Sequence, residues 1–174
     1  MKFFKKNFLK LVILATSVLL LVGCDQTTKK VAQSVLKDKA RTEIAGIIHL
    51  QYIENDGGML SLGSNLPQEI KFTVFILIVS VFLSLLFIYI IKNKPETLLK
   101  LLALVFILSG GLGNLIDRIS NNGKVIDFIR IKLPLFEYGV FNIADFYVTI
   151  GFVLLLLSLL KKKIDLTQEK EYSI

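Results

Sequence analysis

The chain has 174 residues, of which 53% are hydrophobic and 20% are charged, and its mean hydropathy is +0.65. Soluble domains are typically about half apolar and a quarter charged, and the apolar residues here are clustered in long runs, so a soluble single domain is excluded. The single cysteine, Cys24, excludes an internal disulfide framework, and the single histidine leaves too few ligands for a Cys/His zinc cluster.

The formal net charge of +7 is a second compositional feature. Such a charge could indicate a nucleic-acid partner. The basic residues lie mainly beside the apolar runs, however, where lysine and arginine meet anionic lipid and set membrane topology. Membrane lipids are therefore expected as partners, and nucleic acid is not.

Four segments are predicted to span the membrane as helices, over about residues 7–26, 72–91, 97–116 and 138–160. The second segment, Phe72 to Ile91, is uncharged and has about the 20 residues that cross a hydrocarbon core of roughly 30 Å. The uncharged part of the first, Leu11 to Cys24, is shorter, so this helix spans only if the lysines before it snorkel. The predicted fold is an all-α membrane protein with four transmembrane helices and a small extracytoplasmic β-rich loop region.

The distribution of lysine predicts the orientation of these helices, because cytoplasmic ends carry an excess of basic residues. Lysine-rich stretches near residues 2–10, 92–100 and 161–170 fall on one side of the predicted membrane. Both termini are therefore expected in the cytoplasm. The loops over about residues 27–69 and 117–137 are then external.

Two stretches outside the predicted helices carry further signals. The segment from Ile44 to Ile53 is rich in β-branched residues and is followed by the turn signal Asn55-Asp56-Gly57-Gly58, which predicts a small strand pair on the outer leaflet. The Lys- and Glu-rich tail over about residues 161–174 is predicted to be disordered and cytoplasmic. With no repeat or linker visible, residues 1–174 are expected to form one membrane domain.

Polar residues gather at the external ends of the predicted helices. Asp145 lies inside an apolar run, and an ionisable residue at membrane depth costs about 2.5–3.5 kcal/mol on insertion scales, so it is a candidate functional residue. The alternative is that Asp145 faces the lipid headgroups. The whole set is Asp25, Asn55, Asn114, Asp117, Arg118, Asp127, Asn142 and Asp145.

The third predicted helix ends in a run of small residues, Ser109 to Gly113, which permits close backbone approach. Helix packing alone would explain these glycines. It would not explain the polar Asn114, Asp117 and Arg118 that follow, whose spacing places them on one face of a helix end.

Two carboxyl groups in a partly dry site can hold one proton between them, so that one acts as a general base toward water while the other donates to a carbonyl oxygen. This aspartic-protease chemistry needs no metal, cysteine or serine. The acids that could partner Asp145 are Asp25, Asp117 and Asp127. Arg118 beside Asp117 favours a structural ion pair there, whereas Asp127 lies between apolar residues. The residues alone favour Asp127 only slightly.

Five segments in chain order resemble the motifs of lipoprotein signal peptidase, also called signal peptidase II. The resemblance covers nearly the whole chain. Each motif is weak alone, but five of them in this order and spacing are highly specific. The segments are Asp25-Gln26-Thr27-Thr28-Lys29, Asn55-Asp56-Gly57-Gly58, Gly110-Gly111-Leu112-Gly113-Asn114-Leu115-Ile116-Asp117-Arg118, Val125-Ile126-Asp127-Phe128 and Phe141-Asn142-Ile143-Ala144-Asp145.

The resemblance implies a bacterial inner-membrane aspartic peptidase that removes the signal peptide of diacylglyceryl-modified prolipoproteins, cutting just before the lipidated cysteine. It implies that Asp127 and Asp145 are the catalytic pair, at the extracytoplasmic face and without a cofactor or metal. It also implies inhibition by the cyclic peptide globomycin. Substrate-binding roles are implied for six residues, of which Asn114 and Asn142 would orient either the carboxyls or the substrate backbone. The other four would position substrate or lipid or support the structure, and they are Asp25, Lys29, Asn55 and Arg118. Supporting structural roles are implied for Asp117, Gly110, Gly111 and Ala144.

The sequence departs from the family pattern in the first loop, where Gly58-Met59-Leu60 stands in place of small residues followed by Phe. Two other functions are alternatives. The segment from Leu21 to Cys24 resembles a lipobox, so the chain could be a membrane-anchored lipoprotein processed at Cys24, although three more spanning helices follow it. A small ion-coupled transporter could use Asp145, but the second helix has too few polar residues to line a path.

Overall fold

The computed structural model describes residues 2–40, 42–44, 46–57, 65–93, 95–133 and 139–172. The predicted contact segment Gly58-Met59-Leu60 lies outside the described residues. The elements in chain order are helix α1 (Lys2–Leu36), strands β1 (Thr42–Glu43) and β2 (Ile48–Asn55), helix α2 (Gln68–Phe72), a π-helical stretch (Thr73–Ile78), helices α3 (Val79–Lys92) and α4 (Leu98–Ser120), strand β3 (Val125–Ile131) and helix α5 (Ile143–Tyr172).

Four helical stretches of the described chain are long and apolar enough to cross a membrane. The predicted fold of four spanning helices with a small β-rich region is confirmed. The spans are Leu11–Leu36, Glu69–Lys92, Leu98–Ser120 and Ile143–Asp165.

The first and last helices are longer than predicted. Helix α1 continues beyond residue 26 to Leu36, because Asp25 and Lys29 form a buried i,i+4 ion pair inside it and no glycine or proline follows to end it. Helix α5 continues through most of the tail predicted to be disordered, as far as Tyr172. Lysine, leucine, glutamine and glutamate, which are strong helix formers, make up most of residues 161–172.

The strands form one antiparallel sheet in the order β1-β2-β3. Strands β1 and β2 confirm the strand pair predicted in the first loop, but β3 was not predicted. Because β3 pairs with β2 in a register that places Asn55 opposite Val125 and Ile53 opposite Asp127, the end of β2 lies beside Asp127.

Helix α4 lies between α1, α3 and α5. The apolar core between these helices includes Leu14, Leu83, Leu104 and Leu108. A second cluster packs Ala32 and Leu36 of α1 against Phe128 of β3, which fixes the sheet to the end of α1. The sheet, the end of α1, the end of α4 and the start of α5 therefore meet at one end of the bundle.

Candidate functional site

The two acids expected as a pair, Asp127 and Asp145, are brought together by Asn142. The side-chain nitrogen of Asn142 donates to Oδ1 of Asp127 at 2.6 Å, and its backbone nitrogen donates to Oδ2 of Asp145 at 3.2 Å. Asp127 is 1% exposed on strand β3, and Asn142 is fully buried. Asp145 is half-buried in the first turn of α5, so the pair is open on the Asp145 side.

Asp145 is held at the N-terminus of α5 by a reciprocal pair of hydrogen bonds. Its backbone nitrogen donates to Oδ1 of Asn142 at 3.0 Å, and its carboxylate accepts from the backbone nitrogen of Asn142. This is a capping box, which explains why the helix begins at Ile143 and not at about residue 138 as predicted. Asn114 of α4 donates to the other oxygen, Oδ1 of Asp145, at 2.8 Å. Both carboxylate oxygens of Asp145 are thus fixed.

Asp127 accepts hydrogen bonds from two amide side chains. Asn142 donates to Oδ1, and Asn55, at the end of β2, donates to Oδ2 at 2.8 Å. Burial, and then the charge of Asp145, raise the pKa of Asp127 to about 7, although the two amides favour its charged form. At neutral pH the pair can therefore keep one proton, as acid–base work by two carboxyls requires.

Lys29 is connected to this pair of acids through Asn114, and its ammonium group has three acceptors. Its Nζ lies 2.9 Å from Oδ2 of Asp25, 2.9 Å from Oδ2 of Asp117 and 3.0 Å from Oδ1 of Asn114. Asp25 is fully buried and Lys29 is 1% exposed. The structure therefore places these two residues, expected to bind substrate, behind the acids, where they contact protein groups.

Asp117, on α4, is bonded to three residues of two other elements, α1 and β3. Besides Lys29, it accepts from Nε2 of Gln26 at 2.8 Å and from the backbone nitrogen of Ile126 at 3.1 Å. The cation that pairs with Asp117 is Lys29 of α1 and not the expected Arg118. Adjacent residues on a helix point to different sides, so Arg118 faces away from Asp117. Asp117 thereby joins α1 and α4 to the start of β3.

Arg118 binds the backbone on both sides of the site. Its guanidinium donates to the carbonyl oxygens of Gly57 and, at 2.7 Å, of Gly123. The guanidinium carbon lies 4.6 Å from the ring centre of Phe75 in the π-helical stretch. These contacts hold Gly57 next to Asn55, so Arg118 supports the loop that reaches Asp127.

The neighbouring Asp56 forms an ion pair with Lys71. Nζ of Lys71 lies 2.5 Å from Oδ2 of Asp56. This ion pair lowers the pKa of Asp56. Two successive residues after β2 are therefore held in place, Asp56 by Lys71 of the second span and Gly57 by Arg118 of α4.

Small residues of α4 allow the neighbouring helices to pack closely beside the site. A methyl group added to Gly113 would lie 2.5 Å from Oδ2 of Asp25. One added to Gly110 would meet the carbonyl oxygen of Ala144, and one added to Gly111 would meet Leu83 at 2.6 Å. Ala144 is fully buried, and its backbone nitrogen donates to Oδ1 of Asp25 at 2.9 Å.

Two residues of this site were not predicted from the sequence. Gln26 donates to Asp117 and to the carbonyl oxygen of Gly113 at 3.1 Å. Its signal was available, because Gln26 is a polar residue beside Asp25 within a spanning helix. Gly113 leaves room for the side chain of Asp25. The sequence could not show this, because the distance between the two residues depends on how α1 and α4 pack.

Among the residues that the structure describes, the groups suited to catalysis at this site are carboxyl groups. Within the part of the chain that the structure describes, no three His, Cys, Asp or Glu side chains are grouped to hold a metal ion. Asp25 and Asp117 are both engaged by Lys29, which leaves Asp127 and Asp145 as the acids that share an open site. The fold and site thus define a multi-pass membrane protein with a carboxyl pair at one end of its spans.

The model of the family described as signal peptidase (SPase) II matches residues 17–161. The chain belongs to the signal peptidase II family, which confirms the resemblance of its motifs. Lipoprotein signal peptidase of Streptococcus pneumoniae is 34% identical over 90% of this chain and 97% of its own length. The protein of that name from Pelodictyon phaeoclathratiforme is 38% identical over 80% of this chain and 85% of its own.

Two solved structures have the same fold. Both are described as bacterial membrane enzymes determined by the in meso method, at 2.3 Å and 1.9 Å resolution. Each is 29% identical to this chain, with TM-scores of 0.75 and 0.74. They are matched over 87% and 86% of this chain and over 89% and 93% of their own.

Proposed function

We propose that the protein is an aspartic endopeptidase that removes the signal peptide of diacylglyceryl-modified prolipoproteins and cuts just before the lipidated cysteine. Membership of the signal peptidase II family supports the substrate class. The observation that carries the catalytic type is the bonding of Asp127 and Asp145 to one residue, Asn142.

In the proposed mechanism the two carboxyls share one proton. The ionised member takes a proton from a water molecule as that water attacks the scissile carbonyl carbon, and the protonated member donates to the carbonyl oxygen. The tetrahedral intermediate then collapses as a proton passes to the leaving amine. Asn114, Asn142 and Asn55 fix the carboxyls throughout, because each donates to one of their oxygens.

The proposed location is the bacterial cytoplasmic membrane, with both termini in the cytoplasm. The positive-inside rule places the lysine-rich ends of the helices in the cytoplasm. The site lies at the opposite end of the bundle and would therefore be outside the cytoplasm. There it would meet a signal helix that has crossed the membrane and a diacylglyceryl group in the outer leaflet. Lipids of that leaflet are the expected neighbours of its apolar exposed side chains.

The test is cleavage of a synthetic lipidated prolipoprotein peptide by the purified chain in vesicles. We expect one cut, on the amino side of the lipidated cysteine, detected by mass spectrometry. The same peptide without its diacylglyceryl group is the substrate control and should not be cut. Globomycin should inhibit the cleavage, and EDTA should not. Loss of activity with EDTA that returns with a divalent metal would contradict the metal-free mechanism.

The intact mass of the purified chain tests the alternative in which the chain is itself a processed lipoprotein. Cys24 lies within α1, and the next residue, Asp25, accepts a hydrogen bond from Ala144 of α5. Cleavage before Cys24 would cut this helix, so we expect the chain to keep its full length and Cys24 to carry no lipid. A mature form beginning at Cys24 would instead support the lipoprotein alternative.

A further inference from the structure

Lys29 is separated from the reacting acids by one side chain. Its ammonium group has three donors, and they face three acceptors, on Asp25, Asp117 and Asn114. With 1% exposure, it has no surface left for a substrate. Apart from the through-space attraction of its charge for the carboxylate of Asp127, Lys29 can act on the reaction only through one of these neighbours.

Asn114 is the neighbour that reaches the acids. An ammonium group can only donate, so Asn114 must turn its oxygen toward Lys29 and thereby its nitrogen toward Asp145. The distances fit this orientation, with Oδ1 3.0 Å from Nζ of Lys29 and Nδ2 2.8 Å from Oδ1 of Asp145. The side-chain nitrogen of Asn142 also donates to this oxygen, at 3.1 Å, so the opposite orientation would place the amide nitrogen of Asn114 against two donors.

We propose that Lys29 is a positioning residue, which together with Asn142 sets the orientation of the Asn114 amide and through it the carboxylate of Asp145. This inference rests on the proposed function, because it assigns a role within the same reaction. It replaces direct substrate binding by Lys29 with an action one side chain away from the acids.

The first test is a double-mutant cycle on the cleavage rate. Lys29→Met and Asn114→Ala should each lower kcat by about 100-fold, the usual effect of a reacting group displaced by about 1 Å. KM should change little, because neither change removes a substrate contact. The double variant should be no slower than the slower single variant, since both remove the same hydrogen bond to Asp145.

Asn55 provides the matched control cycle. It acts on the other acid, donating to Oδ2 of Asp127 at 2.8 Å. Asn55→Ala combined with Lys29→Met should therefore show losses in kcat that multiply. If the Lys29 and Asn114 losses also multiply, or if folded Lys29→Met keeps full kcat, the inference is overturned.

The charge of Lys29 also stabilises the fold, so each variant needs a folding control. Lys29→Met leaves Asp25 and Asp117 buried without their cation, which can prevent folding. Lys29→Arg keeps the charge but cannot keep the same donor geometry at Asn114. It should lower kcat, and the loss should vanish in an Asn114→Ala background. A loss that persists there would overturn the inference.

These outcomes differ from failure of the proposed function. If the unaltered chain does not cut the lipidated peptide, or if Asp145→Asn cuts it normally, the proposed function fails. If the unaltered chain cuts and only the cycle with Asn114 is multiplicative, the proposed function stands and the inference about Lys29 fails.

Discussion

Asn142 donates a 2.6 Å hydrogen bond from its side chain to Asp127, across the gap between strand β3 and the start of helix α5. The same residue caps α5 and binds Asp145 through its backbone. One residue, through its side chain and its backbone, thus begins a helix and bonds to both acids. Its burial shields all of these bonds from water, which strengthens them.

The change Asn142→Ala should therefore affect activity more than stability. We expect kcat for the lipidated peptide to fall by about 100-fold, because Asp127 loses the side-chain donor that ties it to the start of α5, whereas the backbone donor to Asp145 is kept. Loss of the helix cap should cost about 1 kcal/mol of unfolding free energy. Cleavage assays and thermal unfolding in detergent measure the two effects. A variant that is fully active would contradict the role of Asn142.

The two acids should differ sharply from Asp117. Asp127→Asn and Asp145→Asn should each abolish cleavage with the protein still inserted, because an amide cannot exchange the shared proton. Asp117→Asn should keep measurable activity and unfold more easily, by about 1–3 kcal/mol, because it weakens a buried ion pair with Lys29. A folded, inactive Asp117→Asn beside an active Asp127→Asn would exchange the two assignments.

The sequence predicted the number of spans and the polar residues at their ends, because these depend on hydropathy and local charge. It did not predict strand β3, although five of the seven residues of that strand are Val, Ile or Phe, which favour strands. The pairing of β3 with β2 could not be predicted, because β2 lies far away in the chain. The sequence also could not choose the cation for Asp117, because Lys29 lies far away in the chain. The capping box was readable from Asn142 and Asp145, whose spacing fits that motif.

The chain should have its sheet outside the cytoplasm. In a Cys24→Ser background, Lys39→Cys and Lys124→Cys should react with a membrane-impermeant thiol reagent added from outside intact cells. Both positions lie at the sheet end of the bundle, beyond α1 and before β3. Lys163→Cys, near the opposite end of α5, is the control and should react only after the membrane is opened. The reverse pattern would overturn the proposed topology and function.

Close packing of α4 makes Gly113 sensitive to a single methyl group. Gly113→Ala would place that methyl 2.5 Å from Asp25 and 3.2 Å from the side chain of Ala144, both of them buried. We expect a loss of about 1–3 kcal/mol of unfolding free energy or a failure to accumulate. Gly23→Ala is the matched control, since its methyl would meet nothing within 4 Å. It should be as stable as the unaltered chain or slightly more so.

The carboxyl pair should give a bell-shaped pH profile. Cleavage requires one proton on the pair. As the pH rises through the pKa of Asp127, about 7, that proton is lost, so activity should fall on the alkaline side of neutrality. At low pH a second proton binds and removes the general base, so activity should fall again. Initial rates of the purified enzyme measured across the pH range check both limbs.

Asn55→Ala tests whether Asp127 is the group behind the alkaline limb. Asn55 donates to Oδ2 of Asp127 and thereby stabilises the charged carboxylate, which lowers its pKa. Removing that donor leaves burial and the charge of Asp145 less opposed, so the pKa of Asp127 should rise. The alkaline limb should therefore move to higher pH even if the maximum rate falls. An alkaline limb that stays in place or moves to lower pH would mean that another group controls it.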